Sequence, residues 1–185
     1  DIPKSHNITT AQIYSSVIES ERKGEYLGAC VQIIPHVTDA IKDRIKKIAA
    51  DEELEILVVE CGGTVGDIES LPFLEALRQI RVEEGSENVI FVHVTLAPSL
   101  DVVGEQKTKP TQHSVQELRR IGIQPDLLCV RCSMPLQDKT RNKISMFTNV
   151  TNNDVFSCHD VDSIFQVPEI LYEQGLVDVI FKKFN

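Results

Sequence analysis

Short apolar runs alternate with amphipathic stretches along the chain, and this alternation constrains the fold more than any other feature. Dense runs of aliphatic and β-branched residues predict strands at 54–59, 89–97, 126–131 and 154–158. Most of these runs lack polar alternation, as strands do when both faces of a parallel sheet are covered. The pattern therefore predicts an α/β fold with a doubly wound, mostly parallel sheet flanked by helices.

The amphipathic stretches between the predicted strands carry apolar residues at every third or fourth position, which is the spacing of one helix face. Helix starts are indicated at Ser70, two residues before Pro72, and at Thr111, directly after Pro110. A last helical region at 163–184 has a predicted break near Gly175. The remaining predicted helices lie at 37–48, 73–80, 115–121 and 139–147. In such a fold, ligands bind beyond the carboxyl ends of the strands.

Composition narrows the class of protein. A chain of 185 residues, 42% hydrophobic, is large enough for one buried core, and we expect a single domain over 1–185. The net charge of -9 argues against a nucleic-acid-binding surface, and no run is long and apolar enough for a membrane span. Five cysteines, an odd number, do not favour a disulfide framework, which indicates a reducing, cytoplasmic location.

The first candidate site follows the predicted strand at 54–59, where Gly62, Gly63 and Gly66 lie within five residues. No Gly-Lys-Ser/Thr follows, so the segment is not a Walker A loop. Glu60 ends an apolar run, where a carboxylate needs a partner or a cation such as Mg²⁺. Asp67 and Glu69 suit either helix capping or hydrogen bonds from ribose hydroxyls.

The second candidate site is the basic segment 104–113, which contains Lys107 and Lys109 before a predicted helix start. Lysine ammonium groups and free backbone N–H groups can bind a polyphosphate, although exposed lysines are more often simply solvated. Lys143 and Arg131 could likewise either bind phosphate or be ordinary solvated surface residues. Cys129 and Cys132 do not form a metal or redox pair, because residues three apart in a strand point to opposite faces. His36 and His93 are interpreted as structural histidines.

Six segments in order resemble the synthetase, or amidoligase, domain of CTP synthase across almost the whole chain. They are ERKGEYLGACVQIIPHVTDAI, GGTVGDIESLPFLEALRQ, GEQKTKPTQHSV, IGIQPDLLCVRC, the lysine in KISMF, and HDVDSIFQVP. The resemblance implies a Rossmann-like, P-loop-type synthetase domain of a C–N ligase. In this family ATP phosphorylates the 4-oxygen of UTP, and ammonia derived from glutamine then displaces the phosphate to give CTP.

The resemblance also assigns candidate residues. It implies that Glu60 is a Mg²⁺ ligand and that His159, Asp160 and Val161 line the ATP adenine. It further implies a site for UTP and for the feedback inhibitor CTP, formed by Asp67, Ile68, Glu69, Lys107, Thr108, Lys109, Pro110, Thr111, Gln112 and Lys143. A homotetramer is implied, and so is a covalently linked glutamine amidotransferase domain.

The resemblance implies further segments outside this chain. The family's N-terminal phosphate-binding loop would precede Asp1, and the glutamine amidotransferase domain would follow the last residue. We therefore expect a partial synthetase domain that carries no catalytic residue of its own and is inactive by itself. The alternative is a non-catalytic nucleotide-binding or assembly protein of the same lineage.

Overall fold

The structure of the protein is a computed structural model that describes residues 3–100 and 104–184. The chain forms two compact units, the first ending at Glu83 and the second beginning at Glu84. The expectation of a single domain over 1–185 stays a prediction.

The described part of the first unit contains the α-helices α1 (Thr10–Arg22), α2 (Thr38–Asp51) and α3 (Leu71–Glu84). Helix α1 begins with a reciprocal cap: the Thr9 side chain accepts from the Gln12 N–H (3.3 Å), and the Gln12 side chain accepts from the Thr9 N–H (3.0 Å). The core of this unit joins Ile13 on α1, Ile41 on α2 and Ala76 on α3, all buried. The periodic apolar stripes predicted at 37–48 and 73–80 are thus confirmed as helices.

The strand predicted at 54–59 is wrong. These residues form no strand, and only Leu57 packs against the helical core, while Ile56 is 67% exposed and Val58 88% exposed. A strand needs a neighbouring strand to pair its backbone N–H and C=O groups. The described part of the first unit contains no strand, so the apolar run has no pairing partner within it.

Residues 84–100 and 104–184 of the second unit form two sheets. Its described strands are β1 (Val92–Leu96), β2 (Ser99–Leu100), β3 (Glu105–Gln106), β4 (Leu127–Cys132) and β5 (Val155–His159). Strands β1, β4 and β5 form a parallel sheet in the order β1-β4-β5, while β2 and β3 pair antiparallel. Parallel pairing places the carboxyl ends of β1, β4 and β5 at one edge of the sheet.

One face of the parallel sheet is covered by α4 (Lys109–Arg120) and α5 (Asp138–Thr148). Val115 on α4 and Ile144 on α5 are each at most 1% exposed and belong to the same core cluster as Leu128 and Val130 on β4. Cys132 faces this side too, whereas Cys129 faces the other. The prediction that these two cysteines point to opposite faces is confirmed.

The opposite face is covered by α6 (Val167–Glu173) and α7 (Leu176–Phe184). Leu171 and Val179 on these helices pack against Leu127 of β4 and Phe156 of β5. Helices therefore lie on both faces of a parallel sheet, which is the arrangement of a doubly wound, Rossmann-like α/β fold. The predicted fold class is confirmed.

Element boundaries shift by a few residues from the predicted ones. Helix α4 begins at Lys109 rather than Thr111, because Pro110 is tolerated in the first turn of a helix. The predicted break at Gly175 is confirmed: this residue separates α6 from α7 with a φ of 83°. None of the helices in residues 3–100 and 104–184 combines the length and apolar character that a membrane crossing requires.

Candidate functional site

The basic segment lies at the carboxyl edge of the parallel sheet. The chain leaves β1 at Leu96, forms the β2–β3 pair, and enters α4 at Lys109. The Lys107 N–H donates to the Pro98 carbonyl (2.8 Å), which holds the segment close to the end of β1. The fold therefore brings Lys107 and Lys109 to the edge at which doubly wound proteins bind ligands.

Positive charges from two elements converge near Glu105. The Lys107 Nζ lies 2.6 Å from the Glu105 Oε2, and this hydrogen bond is the main cause that lowers the pKa of the Glu105 carboxyl. Lys139 and Lys143 on α5 lower the same pKa through their charges. Lys143, predicted from the sequence, and Lys139, which was not, thus lie near the basic segment.

Lys109 also reaches α5. Its Nζ lies 5.8 Å from the centroid of the Phe147 ring, a cation–π distance. Phe147 follows Lys143 by four residues, so the two side chains share one face of α5. We call Lys107, Lys109, Lys139 and Lys143 the lysine cluster.

The polar residues between these lysines hold the start of α4. The Thr111 hydroxyl donates to the Leu96 carbonyl (2.9 Å), and the Gln112 side chain donates to the Thr108 hydroxyl (2.9 Å). Thr108, Thr111 and Gln112 are all at most 5% exposed. The Thr111 side chain ties the lysine-bearing segment to β1, and the Gln112 side chain fixes the shape of the segment itself. The first turn of α4 directs its backbone N–H groups out of the helix end.

The carboxyl end of β5 carries His159, Asp160 and Val161. Arg131 of β4 pairs with the Asp160 carboxylate and donates to the Cys132 carbonyl (2.7 Å) and the Cys158 carbonyl (3.2 Å). Arg131 thus joins the ends of β4 and β5, although the sequence left its role open between a ligand contact and a surface residue.

The outer edge of β5 is fixed by a side chain. The Gln174 amide accepts from the Ser157 N–H (2.7 Å) and donates to the Ser157 carbonyl (2.9 Å), so it pairs with β5 as a neighbouring strand would. The Ser157 hydroxyl lies 3.3 Å from the His159 Nδ1 and accepts from the Leu136 N–H (3.1 Å). His159 is therefore oriented from within the sheet.

The remaining predicted residues lie in the first unit, on the connection between α2 and α3. Glu60, Ile68 and Glu69 are exposed. The Asp67 carboxylate accepts from the Thr64 N–H (3.3 Å), and its carbonyl accepts from the Ser70 hydroxyl (2.8 Å). Asp67 occupies the N-cap position of the short 3-10 helix Ile68–Ser70, but its side chain makes no capping hydrogen bond, so the interpretation as a side-chain cap is wrong.

Glu60 supplies one carboxylate, a type of ligand that Mg²⁺ binds. Mg²⁺ keeps several water ligands and is usually held by one or two carboxylates together with substrate phosphates. Glu60 is exposed and does not end a strand, so the burial that would have required a partner or a cation for its carboxylate is absent. In residues 3–100 and 104–184 there is no group of three or more metal-ligating side chains, so a metal here would need ligands from substrate or water.

The sequence missed two residues that the structure places here. Lys139 precedes Lys143 by one helical turn, so the i, i+4 spacing on the predicted helix was a signal for it. Gln106 is 5% exposed between Glu105 and Lys107, and only the alternation of side chains along a short strand could have indicated its inward direction.

The fold and the position of the basic segment define a class of protein: a doubly wound α/β protein with its charged loops at the carboxyl edge of the sheet. The whole chain, residues 1–185, matches the family model described as CTP synthase N-terminus. The chain therefore belongs to the CTP synthase family.

Several relatives named CTP synthase are similar along nearly the full chain. That of Thermococcus kodakarensis is 63% identical over 171 residues, covering 92% of this chain and 32% of the relative. That of Pyrococcus horikoshii is 61% identical over 180 residues, covering 97% and 33%. That of Caldanaerobacter subterraneus is 53% identical over 185 residues, covering 100% and 34%. The chain thus spans about a third of the length of the relatives it matches.

Proposed function

We propose that this chain is part of a CTP synthase that converts UTP to CTP, and that the lysine cluster binds the triphosphate of UTP. The observation that carries this proposal is the convergence of lysines from the β3–α4 segment and from α5 in a chain of net charge -9. A polyphosphate replaces the mutual repulsion of these ammonium groups with attraction. The family membership supplies the identity of the nucleotide.

The proposed reaction has two steps. The terminal phosphoryl group of ATP is transferred to the 4-oxygen of the uracil ring, releasing ADP. Ammonia, derived from glutamine, then adds to C4, and inorganic phosphate leaves with the former 4-oxygen. Such chemistry depends on positioning and on electrostatic stabilisation of phosphate charge rather than on a protein nucleophile.

The residues of the second unit have distinct parts in this proposal. Lys107, Lys109 and Lys143 contact the UTP phosphates, while Thr108, Pro110, Thr111 and Gln112 fix the shape of the segment that presents them. His159, Asp160 and Val161 form the edge for the ATP adenine. The Arg131–Asp160 ion pair supports this role, because it holds the ends of β4 and β5 together.

In the first unit, Asp67, Ile68 and Glu69 are proposed to contact the pyrimidine nucleotide, both UTP and the inhibitor CTP. Glu60 would hold Mg²⁺, which when bound neutralises phosphate charge. The complete protein is proposed to be a cytoplasmic homotetramer with a covalently linked glutamine amidotransferase domain.

The metal assignment gives a prediction for Glu60. Glu60→Gln in the complete enzyme should raise the Mg²⁺ concentration needed for half-maximal CTP formation by about tenfold, because an amide oxygen carries no net charge. Initial rates measured across a Mg²⁺ series test this. Glu53→Gln, on the exposed residue just after α2, is the matched control and should leave the Mg²⁺ dependence unchanged.

An isotope experiment tests the reaction. The complete enzyme is supplied with UTP labelled with ¹⁸O at the 4-position, together with ATP, Mg²⁺ and ammonium. We expect CTP to form and the label to appear in inorganic phosphate. Label in water would contradict the phosphorylation step, and binding of nucleotides without any CTP formation would favour the non-catalytic alternative.

A further inference from the structure

We propose that Gln106 is a positioning residue that sets the affinity of the lysine cluster for the nucleotide triphosphate. The identity of that ligand rests on the proposed function. Gln106 itself need not touch the nucleotide, because its side chain is buried beside the lysines rather than exposed among them.

The Gln106 amide makes three hydrogen bonds to one short segment. Its Nε2 donates to the Met134 carbonyl and to the Pro135 carbonyl, both at 3.1 Å. Its Oε1 accepts from the Gln137 N–H at 3.0 Å. Both ends of the amide are thus used, which fixes its direction as well as its position.

These bonds join the two segments that carry the lysine cluster. Gln106 immediately precedes Lys107, and Gln137 immediately precedes α5, which carries Lys139 and Lys143. The ammonium groups on the two segments repel each other, and the Glu105 carboxylate, which pairs with Lys107, offsets part of this repulsion. The Gln106 amide is an uncharged tie that holds the two segments at a fixed spacing. The Gln137 side chain makes a longer bond between the same segments, donating to the Gly104 carbonyl (3.5 Å).

The tie can be removed without leaving buried groups unpaired. The amide binds backbone groups of Met134, Pro135 and Gln137, and all three residues are exposed, so water can replace the amide at these groups. An apolar side chain of similar length at position 106 would fill the space but would make none of the three hydrogen bonds that hold the two segments together. Loss of the amide should therefore alter the spacing of the lysines while the fold persists.

The test is Gln106→Met in the complete enzyme, with Gln124→Met as the matched control. Gln124 likewise donates to two carbonyls, those of Pro125 and Thr148, both at 3.1 Å, but Thr148 ends α5, whereas Gln106 binds the segment that precedes the start of α5. Gln106→Met should raise the KM for UTP and the half-inhibitory CTP concentration together, by about tenfold. The kcat and the KM for ATP should change by less than about twofold, and Gln124→Met should change none of the four values by more than that.

A second variant removes the same tie from its other end. Gln137→Pro deletes the N–H that donates to Gln106, and the φ of -68° at Gln137 suits proline. It also removes the side-chain bond from Gln137 to the Gly104 carbonyl, so Gln137→Ala, which removes only that bond, is its control. From Gln137→Pro we expect a smaller rise in the UTP KM and the CTP half-inhibitory concentration, again in parallel. This variant decides the matter if Gln106→Met does not fold.

Three results would overturn the inference. The first is an unchanged UTP KM and CTP inhibition in Gln106→Met, or in Gln137→Pro if only that variant folds. The second is a fall in kcat and a rise in the KM for ATP that are as large as the rise in the KM for UTP, which would indicate a general structural role. The third is the same UTP effect in Gln124→Met. A wild-type enzyme that binds neither UTP nor CTP would instead overturn the proposed function, and this inference with it.

Discussion

At the scale of the residue, Lys139 gives a graded test of the lysine cluster. It is exposed on α5 and lies one turn before Lys143. Lys139→Met should raise the KM for UTP by about two- to fivefold, because an exposed charge near the phosphates contributes modestly and is screened by salt. Steady-state kinetics at low and high ionic strength measure this.

The salt dependence of the kinetic effect shows whether Lys139 acts through its charge on the phosphates. If it belongs to the cluster, the effect of its substitution should shrink as the salt concentration rises. An effect of the same size at every ionic strength, or an equal effect from Lys182→Met on α7, would separate Lys139 from the phosphate site.

His93 makes stability depend on pH. It is 9% exposed on β1, its Nε2 lies 2.8 Å from the Ser114 hydroxyl, and burial lowers its pKa below the ordinary value of 6.5. In the unfolded chain His93 binds a proton as the pH falls through about 6.5, whereas the folded protein resists protonation there. The contribution to stability is therefore fully present above that pH and is lost as the pH falls below it.

Denaturant midpoints measured between about pH 7.5 and 5 test this dependence. Part of the loss of stability on acidification should disappear in His93→Gln, because glutamine cannot titrate. His113→Gln, at an exposed position on α4, is the control and should retain the wild-type pH dependence. If His93→Gln and the wild type lose stability in parallel, burial of His93 is not a cause.

At the scale of the element, α5 has one side in the core and the other in solvent. Ile144 is 0% exposed, between this helix and the sheet, whereas Met146 on the same helix is 72% exposed. Ile144→Ala should lower the free energy of unfolding by about 2–5 kcal/mol through lost burial and a cavity. Met146→Ala should change it by less than about 0.5 kcal/mol, as exposed substitutions usually do. Equal effects in chemical denaturation would contradict this packing.

The elements also show what sequence alone could predict. Helix α2 and helix α3 follow from apolar periodicity, because each buries one face within its own stretch of chain. The run at 54–59 has the composition of a strand, but a strand also requires a partner whose position local sequence does not encode. The predicted strands β1, β4 and β5 are confirmed, because these three apolar runs pair with one another in the sheet of the second unit.

At the scale of the whole molecule, much of the site could be predicted because it depends on the order of motifs and on the rule for doubly wound sheets. Lys107, Lys109 and Lys143 were predicted from lysines near strand ends and from the family resemblance. Gln106 could not be predicted as a tie, because its three partners lie 28 to 31 residues further along the chain. Contacts between distant segments are set by the fold rather than by the local pattern.

Titration calorimetry of the complete enzyme with UTP and with CTP tests the central claim most directly, using wild type, Lys109→Ala and the exposed control Lys47→Ala. The account predicts that Lys109→Ala weakens the binding of both nucleotides together, by about tenfold, because one cation of the shared triphosphate site is removed. Lys47→Ala should bind both as the wild type does. Unchanged affinity of Lys109→Ala for UTP and for CTP would contradict the claim that the lysine cluster binds the triphosphate.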